Sequence, residues 1–522
     1  MEASNTHDRP KHSDGTDLPS VTRTISSEKN IEVDDVEASH SSIATLYPET
    51  DLSQGIVGWD SQSDSQNPQN FTARKKWEAL AVVSGMTFIS TTCSSIPAPG
   101  INFIAEEFNV TNQTILSLVV SIYLLGYTFG PLVLGPLSEI KGRRTVFSAA
   151  NWYFVVWQIG CALSPNVTAL IIFRLMAGIG GSGVMTLGAG VIADLFPPEK
   201  RGLATALWSL GSLLGPLIGP VCGGFISESI GWRWVFWILT MVSGAMAAGI
   251  EIVNRETYAP VLLQRKTLQL AKDLGRDDLH SALVKKEEIG LKPSFRRNLR
   301  VGLRRPFLLY FKSPIVFLLS TYVAFQYGLL YLFFTSMPAV FRGIYGFSVG
   351  MSGVAYIGIG VGFGLGMLLS ALTNDRMMIS MARRNGGKME PEMRLPLMIL
   401  SAAASPISFF WYGWAVQTEA HWIVPIIGTV PFAFGLNGIY LTSQNYVIDS
   451  YLEYAASANA TLVVTRSILG TVLPLAGPKL FESLDYGWGN TLLGFISLAF
   501  VPVPIIFTKY GKYLREKYVV NL

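Results

Sequence analysis

The feature that most constrains this chain is a series of about twelve apolar runs, each close to twenty residues long. They fall approximately at Trp77–Pro97, Ile115–Leu137, Val146–Ser164, Leu170–Phe196, Leu203–Ser227, Trp234–Val253, Pro314–Val340, Met351–Leu372, Leu395–Trp414, Trp422–Tyr446, Ala456–Phe481 and Thr491–Thr508. About twenty apolar residues in a helix match the hydrocarbon thickness of a bilayer. In lipid a helix satisfies all of its own backbone groups. The reading is an all-α membrane protein. Composition agrees: only 15% of the residues are charged, against about a quarter in soluble domains. The 50 glycines suit helices that pack closely in lipid.

Charge placement orients the runs. Lys141, Arg143 and Arg144, then Lys200 and Arg201, then Arg383, Arg384, Lys388 and Arg394 fall in alternate loops. Lys509, Lys512, Arg515 and Lys517 follow the last run. The intervening loops hold only Arg233, Arg342 and Lys479. Basic loops stay cytoplasmic, so both termini are expected in the cytoplasm. The longest interruption carries Arg265, Lys266, Lys285, Lys286, Arg296, Arg297, Arg300, Arg304 and Arg305 and divides the runs six and six. The expected organisation is a disordered cytoplasmic tail at 1–76, a six-helix bundle at 77–253, a basic linker at 254–313, a second bundle at 314–508 and a short tail at 509–522. The tail is polar, cannot bury a core and opens with no signal-peptide pattern. The sequons at Asn109, Asn112 and Asn166 fall on outside loops and are candidate glycosylation sites; those at Asn70 and Asn459 fall inside or within a helix.

No catalytic motif is present: there is no His-Glu-x-x-His, no Gly-Lys-Ser/Thr phosphate loop and no Gly-x-Ser-x-Gly elbow. Gly178–Gly183 is glycine-rich, but it lies inside an apolar run, follows no strand and has no lysine. An enzyme is not expected, nor a metal or organic cofactor, nor a nucleic-acid partner. Cys93, Cys161 and Cys222 lie within apolar runs without ligand or disulfide spacing and read as packing residues. With no ATP site, an ion gradient is the remaining energy source.

Four stretches carry more specific information. Gly135-Pro136-Leu137-Ser138-Glu139-Ile140-Lys141-Gly142-Arg143-Arg144 is a charged turn between two membrane-length runs. Its plainer reading is an ordinary basic loop. Arg174 lies a few residues inside the fourth run, where an ionised group is costly unless it snorkels, is paired or faces a cavity. The fifth run places Gly211, Gly215, Gly219 and Gly223 on one helix face and bends at Pro216 and Pro220. It is either a plain packing seam or a helix built to slide. Glu256–Leu263, Tyr327–Phe334 and Gln444–Tyr451, running into Tyr454–Ala458, are aromatic-rich strings at the ends of runs 6 and 10 and within run 7.

The first stretch resembles the signature loop between spans 2 and 3 of the major facilitator superfamily, with Glu139 where Asp is usual and Ile140 in place of an Arg. Arg174 with its following glycines resembles the superfamily's span-4 motif, and Gly-Pro-x-x-Gly-Pro-x-x-Gly-Gly in run 5 its antiporter motif. The aromatic strings resemble signatures of the fungal twelve-span drug:proton antiporters. The resemblance implies twelve transmembrane helices in two six-helix pseudo-repeats. It implies a monomeric, proton-driven exporter of drugs, toxins or secondary metabolites at the plasma membrane. In that family Glu139, Arg143 and Asp194 would form a latch coupled to protons, with Arg174 tuning proton binding or touching cargo. A proton symporter importing a solute is the alternative, and a non-transporting receptor on the same fold a third. Candidate cavity residues are Tyr322, Gln326, Tyr327 and Tyr331 of run 7, Asn437, Tyr440 and Gln444 of run 10, and Asn459 and Arg466 of run 11, each of which could equally bond another helix.

Overall fold

The computed structural model describes residues 47–253, 255–283, 295–386, 388, 390–451 and 455–518; within these, the side chains at 198–202, 206, 213, 295–299, 301–302, 374–375 and 455–456 are left aside. Positions 1–46 of the expected tail, Lys285, Lys286 and Tyr454 lie outside the described residues.

Helices occupy all twelve apolar runs. The first six are Ala73–Ser95, Gln113–Lys141, Arg143–Ala162, Val167–Leu195, Pro198–Ser229 and Trp232–Val253, here spans 1 to 6. Spans 7 to 10 are Pro314–Gly343, Val349–Arg384, Leu395–Gln417 and Ile423–Ser450. One long helix, Ala455–Phe500, breaks at Asp485, where φ is 53° and ψ 179°. Span 11 precedes this break; span 12 follows it and continues through Pro502–Lys517.

Local chemistry sets the ends. Asn112, Asn166, Ser313 and Ser348 each accept a backbone N–H in the first turn of the following helix, which satisfies an otherwise orphaned donor. Spans 2 and 3 join through Gly142 alone, at φ 98°. An L side chain is strained there, and a Cβ would also collide with the Glu256 carboxylate. The three candidate glycosylation residues, Asn109, Asn112 and Asn166, are exposed.

Each six-helix half has its own core, one around Met86, Tyr123, Phe147 and Leu187, the other around Leu329, Phe334, Tyr412 and Phe432. Large apolar side chains such as Val156, Met241, Leu368 and Phe495 are more than half exposed, as helix faces turned to lipid require.

One expectation is corrected and two gain detail. The segment 49–72 is folded rather than a free tail. Ile56–Val57 (β1) pairs in parallel with His280–Ser281 (β2) of the linker, Trp59 is 2% exposed, and Lys266 Nζ bonds Asp60 Oδ1 at 2.7 Å and the Gly58 carbonyl at 2.9 Å. The stretch is too polar for a core of its own, but the linker supplies the strand edge and apolar contacts it lacks. The linker is likewise helical, at Ala259–Leu274 and Phe295–Lys312. Residues 509–517 continue span 12, because Lys512 and Arg515 are held by Glu390 and Glu392.

Candidate functional site

The face of the bundle that bears the linker carries two charge clusters, one per half. In the first, Arg143 opens span 3. Its Nε lies 3.4 Å from Asp194 Oδ2 at the end of span 4, its Nη1 donates to Ser138 Oγ at 2.7 Å, and its guanidinium stacks 4.7 Å from the centre of the Tyr258 ring. Thr257 Oγ1 donates to the same Asp194 oxygen at 3.2 Å. Glu256, 7% exposed, accepts the Arg143 backbone N–H at 2.8 Å and those of Thr257 and Tyr258 at 3.1 Å. A carboxylate there complements the positive end of the span-3 helix. Spans 2, 3, 4 and 6 are thus tied at one point. Glu139 is exposed and, among the described residues, forms no hydrogen bond or ion pair with Arg143, although it stays within electrostatic reach of Arg143 and Tyr258; the direct contacts of the cluster are those of Arg143 with Asp194 and Glu256.

The second half repeats the arrangement. Arg394, just before span 9, bonds Asp449 at the end of span 10, with Nε to Oδ2 at 2.6 Å. Glu392 accepts from Arg515 Nε at 3.3 Å and from Tyr446 Oη at 3.2 Å, tying in span 12. Arg143 and Asp194 are 51 residues apart, Arg394 and Asp449 55.

Within the first half, the glycine stripe of span 5 lies on span 1. A Cβ at Gly211 would come within 2.7 Å of the Ser84 carbonyl, at Gly219 within 2.8 Å of Ser95 Oγ, and at Gly223 within 2.8 Å of the Ile96 side chain. Pro220 cannot donate to the Pro216 carbonyl; Ser95 Oγ fills that vacancy at 3.2 Å. Beside it Thr91 Oγ1 donates to the Gly211 carbonyl at 3.2 Å. The seam is held by hydroxyl-to-carbonyl bonds, by Trp208 Nε1 donating to Thr87 Oγ1 at 2.9 Å and by close backbones, with no ion pair among the described residues. On the other flank of span 5, Leu210, Leu214 and Leu217 face Phe363, Met367 and Leu368 of span 8 across an apolar cleft of about 340 Å³.

At the end away from the linker the halves meet directly. Tyr331 Oη donates to Ser94 Oγ at 2.8 Å, and Thr471 Oγ1 to the Ser121 carbonyl at 3.3 Å. Glu228 of span 5 accepts the Gly350 N–H at 2.7 Å and the Ser348 hydroxyl at 3.1 Å. Nearby, Trp232 and Arg233 clasp Glu107 at 2.7 and 2.5 Å. Partial burial raises the Glu107 pKa, but these two donors outweigh it and hold the carboxyl below the usual range.

The described geometry is a two-half helical bundle with a glycine-lined seam in the first half and a charge cluster in each half. The Major Facilitator Superfamily model matches residues 83–474. The chain belongs to the major facilitator superfamily. It is 44% identical to the MFS-type transporter penM of Penicillium rubens, over 88% of this chain and 89% of that one. It is 38% identical to the efflux pump radE of Floropilus chiversii, over 98% and 94%. Among solved structures, the xylose transporter XylE of E. coli in a partially occluded inward-open form superposes with a TM-score of 0.61 at 17% identity, covering 84% of this chain and 98% of XylE.

In this superfamily transporter, the residues picked from sequence divide by helix face. Tyr322 stacks on Phe500 at 5.0 Å, Gln326 bonds Ser405 and Ser497 at 2.8 and 3.0 Å, and Asn437 donates to the Phe363 carbonyl at 3.0 Å. These three brace the second half and do not line a space between the halves. Tyr327, Tyr440, Gln444 and Asn459 are each partly exposed; the two tyrosines stack on Arg466, Gln444 and Asn459 bond each other, and Tyr331 is the bridge to Ser94. The residues missed were Glu256, Arg394, Glu392 and Asp449.

Arg174 is corrected as well. It is fully buried, twenty residues and about 30 Å along span 4 from Asp194. Its guanidinium donates to the carbonyls of Val119 at 2.6 Å, Cys93 at 3.2 Å, Ser94 at 3.1 Å and Val120 at 3.2 Å. Pro97 leaves the Cys93 carbonyl without its helical donor, so Arg174 caps a proline-broken end of span 1. Arg174→Gln should cut the yield of monodisperse protein severalfold, read by size exclusion, while transport per folded molecule stays near wild type. Loss of transport from fully folded protein would instead place this side chain on the cargo path.

Proposed function

We propose that this transporter exports hydrophobic or amphiphilic small molecules, such as drugs, toxins and secondary metabolites, in exchange for protons. It would act as a monomer in the plasma membrane with both termini cytoplasmic, presenting its centre alternately to either side. The observation that carries this reading is the span-5 seam: four glycines against span 1, two prolines, and a serine hydroxyl that fills the donor vacancy left by Pro220. A seam of glycines packed on a neighbouring backbone lets one helix shift on another at lower cost than interlocked side chains would. The aliphatic walls of the cleft between spans 5 and 8 suit apolar cargo better than a sugar. The name of the radE relative, an efflux pump, points the same way.

The direction is tested in everted vesicles with an imposed pH gradient. Acid inside should drive uptake of a fluorescent amphiphile into the vesicle, the equivalent of export, and an inverted gradient should not. Asp194→Asn keeps the shape of the carboxylate but removes its charge and its proton. It should abolish the dependence on the gradient while leaving membrane insertion intact. Wild-type gradient dependence in that variant would remove Asp194 from coupling, and uptake in the opposite direction would make the chain an importer.

A further inference from the structure

The arginines of this chain that bridge elements share one habit. Arg143, Arg233, Arg394 and Arg515 each reach a carboxylate, and Arg174 spends its donors on four carbonyls. Arg466 does neither. It sits eleven residues into the helix that begins at Ala455, about 16 Å from that end, and is 5% exposed. Its Nε is enclosed without an acceptor. Its guanidinium lies between two rings, 4.8 Å from Tyr327 of span 7 and 4.6 Å from Tyr440 of span 10. The titratable groups that act on it are tyrosines, Tyr440, Tyr327, Tyr331 and Tyr127, with no carboxylate among them.

Two ring faces attract a cation but leave its N–H donors unspent, and a desolvated charge with unspent donors calls for an anion. Guanidinium is planar and presents paired donors that match a carboxylate or a delocalised enolate. The flanking rings leave a flat, apolar setting for whatever that oxyanion is attached to. Tyr327 and Tyr440 are partly exposed beside it, and the Gln444–Asn459 amide pair, joined at 3.0 Å, is partly exposed further along spans 10 and 11. Span 10 carries Tyr440 and Gln444 one turn apart, and span 11 carries Asn459 and Arg466 two turns apart, so the four share adjoining faces.

We infer that Arg466, caged by Tyr327 and Tyr440, is the seat for the oxyanion of an amphiphilic organic acid, and that the exported cargo is therefore anionic when bound. This rests on the export reading above and adds the charge class of the cargo.

The test uses the full chain in nanodiscs and a matched pair of probes, 1-pyrenebutyrate and its uncharged amide. Equilibrium dialysis is referenced to protein-free discs of the same lipid. Wild type should bind the carboxylate at least about tenfold more tightly than the amide. Arg466→Gln should bind both alike, with the carboxylate weakened about tenfold, and Arg466→Lys should keep part of the preference. Equal binding of the two probes by wild type, which needs no variant to fold, overturns the seat, as does a preference that survives in Arg466→Gln. Inorganic phosphate or phosphatidylserine in excess should leave the carboxylate bound. Displacement by either would make the ligand an inorganic ion or a headgroup and overturn the cargo assignment. A charge preference without gradient-driven flux in the everted vesicles would count against the export reading alone. Flux of both probes at equal rates would count against the seat alone.

Discussion

Gly223→Val should reduce transport to background and lower the yield of folded protein. A Cβ at this position falls within 2.9 Å of the Ile96 carbonyl carbon and within 2.8 Å of the Ile96 side chain. The obstacle is backbone at the end of span 1, which cannot rotate aside as a side chain would. Overpacking of this kind costs about 1–3 kcal/mol, and a branched residue would reach the upper part of that range. The same collision recurs at Gly215, against the Thr92 backbone N at 2.7 Å. Gly249, where a Cβ meets nothing within 4 Å, is the control: Gly249→Ala should leave yield and flux near wild type. Flux from folded protein, measured in proteoliposomes, separates a blocked slide from a lost fold. A Gly223→Val protein that transports normally would show that spans 1 and 5 need not stay this close.

The second large effect is expected at Arg143. The Arg143 and Asp194 side chains are 15% and 17% exposed. Removing one member of a largely buried pair leaves the other without its counter-charge, at a cost of about 3–5 kcal/mol where burial is complete. Arg143→Ala should therefore lower flux at least about tenfold. Arg143→Lys should recover little, because an ammonium cannot reach Asp194 and Ser138 while stacking on Tyr258. The double variant Arg143→Ala/Asp194→Ala should be better folded than Arg143→Ala alone, since no carboxylate is then stranded; thermal unfolding of the purified proteins checks this. Equal stability of the single and double variants would mean that Asp194 is not the partner that matters. Arg394→Ala should behave in parallel if the two halves carry equivalent latches.

Much of this molecule was legible in its sequence because lipid imposes a length on every helix that crosses it. The twelve apolar runs marked the twelve spans, although spans 8 and 12 run on to Arg384 and Lys517, 12 and 9 residues past the apolar stretch. The Arg143–Asp194 pairing was legible too, since a basic residue opening span 3 and an acid closing span 4 lie at one level. Which way a given side chain turns was not. Gln326 and Tyr327 are neighbours in the chain, yet a helix rotates about 100° between them, so one braces spans 9 and 12 while the other faces Arg466. Arg174 looked like a functional charge because a carbonyl left free by a proline two helices away is invisible to a reading of span 4.

The internal repeat lies in the charge clusters: the second one uses Arg394 at the entrance to span 9. The signal was available as spacing: an arginine before one span and an aspartate at the end of the next, 51 and 55 residues apart in the two halves. The segment 49–72 was missed because its order is borrowed. Composition measures whether a stretch can fold alone, not whether a distant strand is waiting for it.

That borrowed order bears on how the two halves communicate. Ile56–Val57 is stitched to His280–Ser281, and Arg276 reaches back to the Leu52 carbonyl at 2.9 Å. The chain entering the first helix and the chain leaving the sixth are therefore splinted together before the second bundle begins. The connecting sequence as far as residue 281 is thus anchored to the approach to span 1 and is not a free tether. A protease that nicks the chain just past the splint would leave the first bundle with its own clamp intact.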